Sequence, residues 1–232
     1  MRLLTILALP LFITFITSLS LMSNTPPSAR DTSAAKEVFS ASRALQHLAS
    51  IAKEPHPTGS DAIKELKLYL VNELENLGLT TEIHQAEVIN DSAYGPRIGR
   101  IENIIALKKG LNSDAKKLAL MAHYDSRENS FGASDDGSGI IAILETLRAL
   151  NNLPTLTNDL VIIFTDGEET GLFGAKAFTE HPLAEQIGLI LNFEARGSSG
   201  PVMMFETSDN NAGLISEFVK AAPYPQADSL AY

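Results

Sequence analysis

At 232 residues, with 44% apolar and 20% charged side chains, the chain has the composition of a folded protein with room for one sizeable core. Its formal charge of −10, from 18 Lys+Arg against 28 Asp+Glu, argues against nucleic acid as a partner, because phosphates call for a basic face. The absence of cysteine excludes disulfides, thiolate nucleophiles and cysteine-type zinc sites, so any metal here is held by histidine and carboxylate.

Leu3 to Met22 carries no charge. At ~1.5 Å rise per residue it is long enough to cross a ~30 Å hydrocarbon core. Residues 1–23 therefore read as a membrane anchor, with a cleaved signal segment as the alternative; Ser18-Leu19-Ser20 is a poor cleavage site. Arg2 and the terminal amine favour a cytoplasmic N-terminus. The rest of the chain is then expected on the extracytoplasmic side of the membrane, single-pass, or exported if the leader is removed. Residues 24–34, rich in Pro, Ser and Thr, read as a linker.

Residues 35–232 read as one domain. A helical pattern runs from Ala35 to Ala52, with Val38, Ala41, Leu45, Leu48 and Ile51 on one face. Pro55-His56-Pro57-Thr58-Gly59-Ser60 breaks it. A second helix follows, with Ile63, Leu66, Leu70, Leu74 and Leu77 as its stripe and Gly78 as its cap. Thr80 to Ile89 and Ile101 to Leu107 read as strands, with Asp91 to Arg100 as a loop. Leu118 to Ala122 is a strand ending at His123. Ile140, Ile141, Ile143, Leu144, Leu147 and Leu150 mark an amphipathic helix. Leu160 to Thr165 reads as a buried strand, Leu172 to Phe178 as the start of a helix, Ile187 to Phe193 and Val202 to Phe205 as strands. Ser208 or Asp209 is expected to cap a last helix ending near Ala221. Strands alternating with helices predict an α/β fold with a mixed, largely parallel central sheet flanked by helices.

In such sheets, ligands bind beyond the carboxyl ends of the strands. His123, Glu168-Glu169 and Glu194 each follow a predicted strand, and Asp135-Asp136 precede the helix after the His123 strand. Singly, each has a bland explanation. Ser134-Asp135-Asp136-Gly137-Ser138-Gly139 is a serviceable helix cap, and Asp166-Gly167-Glu168-Glu169 a solvated turn. Glu194 is harder to dismiss, because it continues an apolar run and needs a partner or a cation; Arg196 is one candidate. Four such coincidences at strand ends point to a cation site. His47 and His84 have no carboxylates at ligand spacing and read as structural; for His56, loop rigidity is the simpler role. A phosphate-cradling Gly-x-Gly-x-x-Gly, a Walker lysine and a Gly-x-Ser-x-Gly elbow are all absent.

The four segments His123-Tyr124-Asp125-Ser126, Ser134 to Gly139, Asp166-Gly167-Glu168-Glu169-x-Gly171-Leu172-x-Gly174 and Asn192-Phe193-Glu194-Ala195-Arg196-Gly197 resemble, in order, those of the M28 family of zinc metallopeptidases. The form of the last one, followed by Pro201-Val202-Met203-Met204-Phe205-Glu206-Thr207, is most similar to the membrane-associated branch. The resemblance spans roughly residues 40 to 232. It implies an aminopeptidase-like fold, a peptide substrate and two zincs about 3.5–4 Å apart that activate a water. It further implies that His123 and Glu194 hold one zinc, Glu169 the second, and Asp135 both, across a peptide bond to Asp136 that is often cis. Asp125 would support the His123 imidazole, and Glu168 would be the general base in removing an N-terminal residue.

The family pattern also includes a histidine well downstream of the Glu194 segment. Here only His181 follows Glu169, and it precedes the Glu194 strand. By that comparison the domain is incomplete at Tyr232 and the second zinc site lacks its histidine, so impaired activity is expected. Two alternatives stay open: a non-catalytic ectodomain acting as a binding module, and aminoacyl cyclisation as in zinc glutaminyl cyclases, against which the paired glutamates weigh.

Overall fold

The computed structural model describes residues 2–23, 25–92 and 95–227. Ala29–Gly197 form one compact unit, and the described residues of Met1–Ser28 and Ser198–Tyr232 form another. In the second unit, α1 (Arg2–Ser23) contains Pro10, and α6 (Ala212–Ala221) lies in the chain between Met204 and Ala227, which form an isolated bridge. The α1 helix forms where the anchor was expected. Yet among the described residues no helix is long and apolar enough to cross a membrane. The expected strand Val202 to Phe205 is reduced to the one bridge at Met204, and α6 starts after Asn211, later than the Ser208 or Asp209 cap placed it.

The larger unit is built on a five-stranded sheet, ordered β1-β2-β4-β3-β5. Its strands are β1 (Thr80–Ser92), β2 (Gly95–Lys108), β3 (Lys117–His123), β4 (Leu160–Thr165) and β5 (Ile187–Asn192). β3 is parallel to both β4 and β5, while β1–β2 and β2–β4 are antiparallel. The sheet is thus mixed, with half of its pairings antiparallel, rather than largely parallel. The cause is the stretch 91–100. Its composition suggested a loop, but Asp91 pairs with Pro96 and Glu87 with Arg100, so the hairpin extends almost to its tip. Pro96 is tolerated because β1 and β2 project there as a two-stranded ribbon.

The helices pack where their apolar stripes require. α3 (Asp61–Asn76) buries Ile63, Leu66, Leu70 and Leu74, spaced three and four apart on one face. α4 (Gly137–Leu150) buries Ile140, Ile143, Leu144 and Leu147 in the same cluster, against Ile104, Ile162 and Phe164 of the sheet. α5 (Phe173–Thr179) places Phe178 with Ile105, Val161 and Ile163, a separate cluster. β4 is buried at every residue, as a central strand between two covered faces must be.

The first helix of this unit, α2 (Ala41–Ile51), begins six residues later than its stripe predicted. Ser40 Oγ accepts from the Arg43 N–H and caps it. The preceding carbonyls are taken by two guanidinium groups instead of a helical ladder. Arg43 reaches those of Thr32, Ala34, Ala35 and Val38, and Arg148 those of Lys36 and Val38. Both arginines are anchored by Glu145, buried within α4.

Candidate metal centre

β4, β3 and β5 are adjacent and mutually parallel, so their carboxyl ends lie on one edge of the sheet. β3 ends at His123, β4 leads into Asp166 to Glu169, and β5 leads through Phe193, whose N–H donates to the Met121 carbonyl, into Glu194. Asp135 arrives from the loop ahead of α4. One nitrogen of His123 and one carboxylate oxygen each of Asp135 and Glu194 lie within 4.8 Å of one another.

His123 is aimed by its own chain. Its Nδ1–H donates to the backbone carbonyl of Asp125 at 2.9 Å. The other nitrogen, Nε2, then faces Asp135 Oδ1 at 2.7 Å and Glu194 Oε1 at 3.9 Å. That is the tautomer arrangement of a ligating imidazole, held by a carbonyl behind it. Burial opposes charge on the ring, but Asp125, Asp136 and Asp135 outweigh it and push the pKa up to about 10. Burial raises Glu194 too, and Asp135 adds to the rise against the pull of His123.

Asp125 does more than flank the histidine. Its carboxylate accepts the backbone N–H of Glu168 at 3.0 Å and of Glu169 at 3.2 Å. The same side chain lies 3.5 Å from His123 Nδ1. It thereby fixes the turn after β4 against the end of β3. Gly167, at φ +73°, permits that turn. Glu168 is half-buried and raised, first by burial, then by Glu194, Glu169 and Asp125, against the attraction of His123. Glu169 stands outside the three-donor group, and its Oε2 is 2.5 Å from Arg127 Nε.

Supporting contacts surround these groups. Asp166 accepts from Thr58 Oγ1 at 2.8 Å and from the Glu102 N–H at 3.0 Å, which ties the Pro55–Ser60 loop to the turn. His56 is buried in that loop, and its N–H donates to Ser126 Oγ at 2.9 Å; burial lowers its pKa. Asp136 caps α4 through the Gly139 N–H. A Cβ at Gly139 would stand 2.5 Å from that carboxylate, so the glycine is required for the cap. The Asp135–Asp136 peptide bond is cis, as the resemblance implies. The remaining histidines lie elsewhere: His47 contacts Tyr69, and His84 packs edge-on against His181, which stacks on Phe178.

The residues fit one metal ion. An imidazole nitrogen and two carboxylate oxygens converge, the donor chemistry that suits zinc. Asp136 Oδ2 is buried beside them without a hydrogen-bond partner, and burial pushes that acid up to about 8. Ionising all of these acids at once would leave more negative charge than the protein donors offset. Three contacts had no sequence signal: Arg127 on Glu169, Thr58 on Asp166, and the grip of Asp125 on two amides. Each joins residues far apart in the chain or outside any periodic pattern.

This fold is shared with zinc exopeptidases and related enzymes. A leucine aminopeptidase precursor from Bacteroides thetaiotaomicron superposes with a TM-score of 0.66 at 22% identity, over 82% of this chain and 77% of that one. A glutaminyl cyclase from Porphyromonas gingivalis gives 0.66 at 23%, over 78% and 69%. Such identities speak for the fold alone. Residues 103–232 match the profile of peptidase family M28. The vacuolar membrane protease of Eremothecium gossypii is 32% identical over 192 residues, 75% of this chain and 19% of that protein. That of Candida dubliniensis is 35% identical over 191 residues, 79% and 20%. The chain belongs to peptidase family M28, and it spans about a fifth of the length of these curated relatives.

Proposed function

We propose that this chain is the catalytic part of a zinc-dependent exopeptidase that removes N-terminal residues from peptides. The observation that carries it is the convergence of His123 and Glu194, from the ends of β3 and β5, with Asp135 from the loop ahead of α4, and with Glu168 on the turn after β4. In this reading His123, Asp135 and Glu194 hold the ion. Zinc, when bound, supplies Lewis acidity and lowers the pKa of a water. Glu168 is the general base. Its carboxylate, raised by burial and by its acidic neighbours, takes a proton from the attacking water and returns it to the leaving amine. Asp125 is a positioning residue, since it holds the Glu168 and Glu169 amides and the imidazole end of β3 in one frame. Glu169 belongs to a second ion. The apolar run Leu3 to Met22 and the membrane proteases among the relatives support attachment to a membrane, with the peptidase domain on the extracytoplasmic side.

Glu168→Gln tests the assignment. Leucyl-arylamide hydrolysis is expected to fall by roughly 10²–10⁴-fold while bound zinc is retained. Unchanged turnover sinks the role of Glu168. Wild-type protein that binds zinc but hydrolyses no peptide or arylamide points to the binding module. Release of pyroglutamyl product from an N-terminal glutamine peptide points to cyclisation.

A further inference from the structure

The hairpin of β1 and β2 grips the turn that carries Glu168. β2 pairs with β4 only from Ile104 to Lys108, so the residues before Ile104 run on past the carboxyl end of β4, the edge that bears the metal centre. Within the hairpin Asn90 and Arg97 stand directly opposite each other, and their side chains share one face. Both donate to the turn. Asn90 Nδ2 reaches the Gly171 carbonyl at 2.7 Å, and Arg97 Nη1 the Thr170 carbonyl at 2.9 Å. Further along that face Val88 and Ile101 pack with Phe173 and Ala177 of α5. Lys176 of α5 returns the contact, its Nζ donating to the Ile89 carbonyl at 2.7 Å.

The turn calls for such support. Its internal bonds are few: the Gly171 and Leu172 N–H groups share the Glu168 carbonyl, each at 2.9 Å, and the Phe173 N–H donates to the Gly167 carbonyl at 3.0 Å. Leu172 sits at φ +60°, a left-handed conformation that persists in a bulky residue only where its surroundings over-determine it. Two clamps do so from opposite sides. Asp125 holds the amides of Glu168 and Glu169. The hairpin holds the carbonyls of the next two residues, Thr170 and Gly171.

We propose that Asn90, assisted by Arg97, is a positioning residue for Glu168: the hairpin fixes where that carboxylate stands by holding the far side of its turn. This rests on the zinc-peptidase reading for the role of Glu168, but not for the clamp itself. A general base must meet its proton at hydrogen-bond distance, and a misplacement of about 1 Å can cost on the order of 10²-fold in rate. Asn90 carries more of the effect, because its bond is partly buried while that of Arg97 is exposed.

The test compares Asn90→Asp, Asn90→Gln and Arg97→Gln, in the full chain, with Arg100→Gln, which sits on the opposite face of the same hairpin in an exposed pair with Glu87. Asn90→Asp keeps the shape and loses the donor, and Lys176 Nζ, 3.5 Å from Asn90 Oδ1, is placed to take up the new charge. Circular dichroism verifies the fold. In metal-free protein, amide exchange at Gly171 and Leu172 should quicken by roughly tenfold in Asn90→Asp, while Ile162 and Phe164 of β4 keep their rates. In zinc-loaded protein, kcat for leucyl-arylamide should fall about tenfold in Asn90→Asp and about threefold in Arg97→Gln, with KM unchanged. Asn90→Gln, which still offers an amide donor, should recover part of the loss, and Arg100→Gln should match the wild type. In a Glu168→Gln background Asn90→Asp should cost nothing further, since it acts through Glu168. A loss that appears in KM, or that keeps its full size in Glu168→Gln, overturns the positioning role. Unchanged exchange in Asn90→Asp overturns the clamp itself, with or without turnover. A wild-type chain that binds zinc and hydrolyses nothing overturns the peptidase reading and the catalytic role of the hairpin with it, and leaves the clamp to the exchange rates.

Discussion

Both ends of the parallel strands carry buried acids, and the fold treats them in opposite ways. At the N-terminal end, Asp159 precedes β4 and is fully buried. It accepts from the Gly110 N–H at 2.8 Å, Lys117 Nζ at 3.0 Å, Lys109 Nζ at 3.2 Å and Ser113 Oγ at 3.3 Å. Burial alone would raise its pKa, but these donors win and hold it well below the usual carboxylate range. At the C-terminal end, burial pushes Asp136 up to about 8 and Asp166 up to about 6, and raises Glu168 and Glu194. One end is neutralised by its own chain and the other is left short of positive charge. A deficit of that kind, at a solvent-facing edge, is what a cation site requires.

The sharpest way to break this comparison is to delete one acid from each end. Asp159→Ala leaves Lys117, with its side chain 7% exposed, without its carboxylate. A loss of about 3–5 kcal/mol in urea unfolding is expected. Glu194→Ala in metal-free protein relieves repulsion and should change stability by less than about 1 kcal/mol. Equal losses at the two ends would erase the distinction.

Zinc should supply the missing charge. At a thousandfold excess over its dissociation constant it should stabilise the folded chain by about 4.1 kcal/mol. The effect should vanish on chelation and in His123→Asn. A melting temperature indifferent to zinc counts against the centre.

Acid stability offers a smaller effect. Burial, above all, pushes the Asp166 carboxyl up to about 6 from an ordinary 3.8. The folded state therefore binds a proton that the unfolded state has released. The associated stability is full below about 3.8 and is lost as pH rises through about 6, some 3 kcal/mol in all at about 1.36 kcal/mol per unit. Asp166→Asn should flatten the stability profile between pH 4 and 6; a slope identical to wild type would exclude Asp166 as its source. Smallest of these, Ser60→Ala removes the cap of α3, whose oxygen accepts from the Ile63 N–H. It should cost about 1 kcal/mol with or without zinc, which calibrates the rest.

Much of this was legible before the structure. The apolar runs of β3, β4 and β5 each terminate in a chemically marked turn, and helices alternate with them, so the shared edge for His123, the Glu168 turn and Glu194 follows from topology. The hairpin was less legible. Gly95-Pro96 and the polar residues 91–100 carry the composition of a loop, and only pairing along an exposed ribbon makes them strand. Stripe periodicity puts the start of α2 too early, because it cannot register that Arg43 and Arg148 take the carbonyls upstream.

What the sequence by itself determined is which residues stand at the ends of the strands, because period and apolarity set strand length and a parallel arrangement aligns the ends. What only the tertiary structure decided is how those residues are partnered. Asp125 turns its carboxylate to the amides of Glu168 and Glu169 and leaves its carbonyl for His123. Arg127 meets Glu169, and Glu145 gathers Arg43 and Arg148 inside α4. Such choices depend on distances between segments remote in the chain, and those are set by the packing of helices on the sheet rather than by any local pattern.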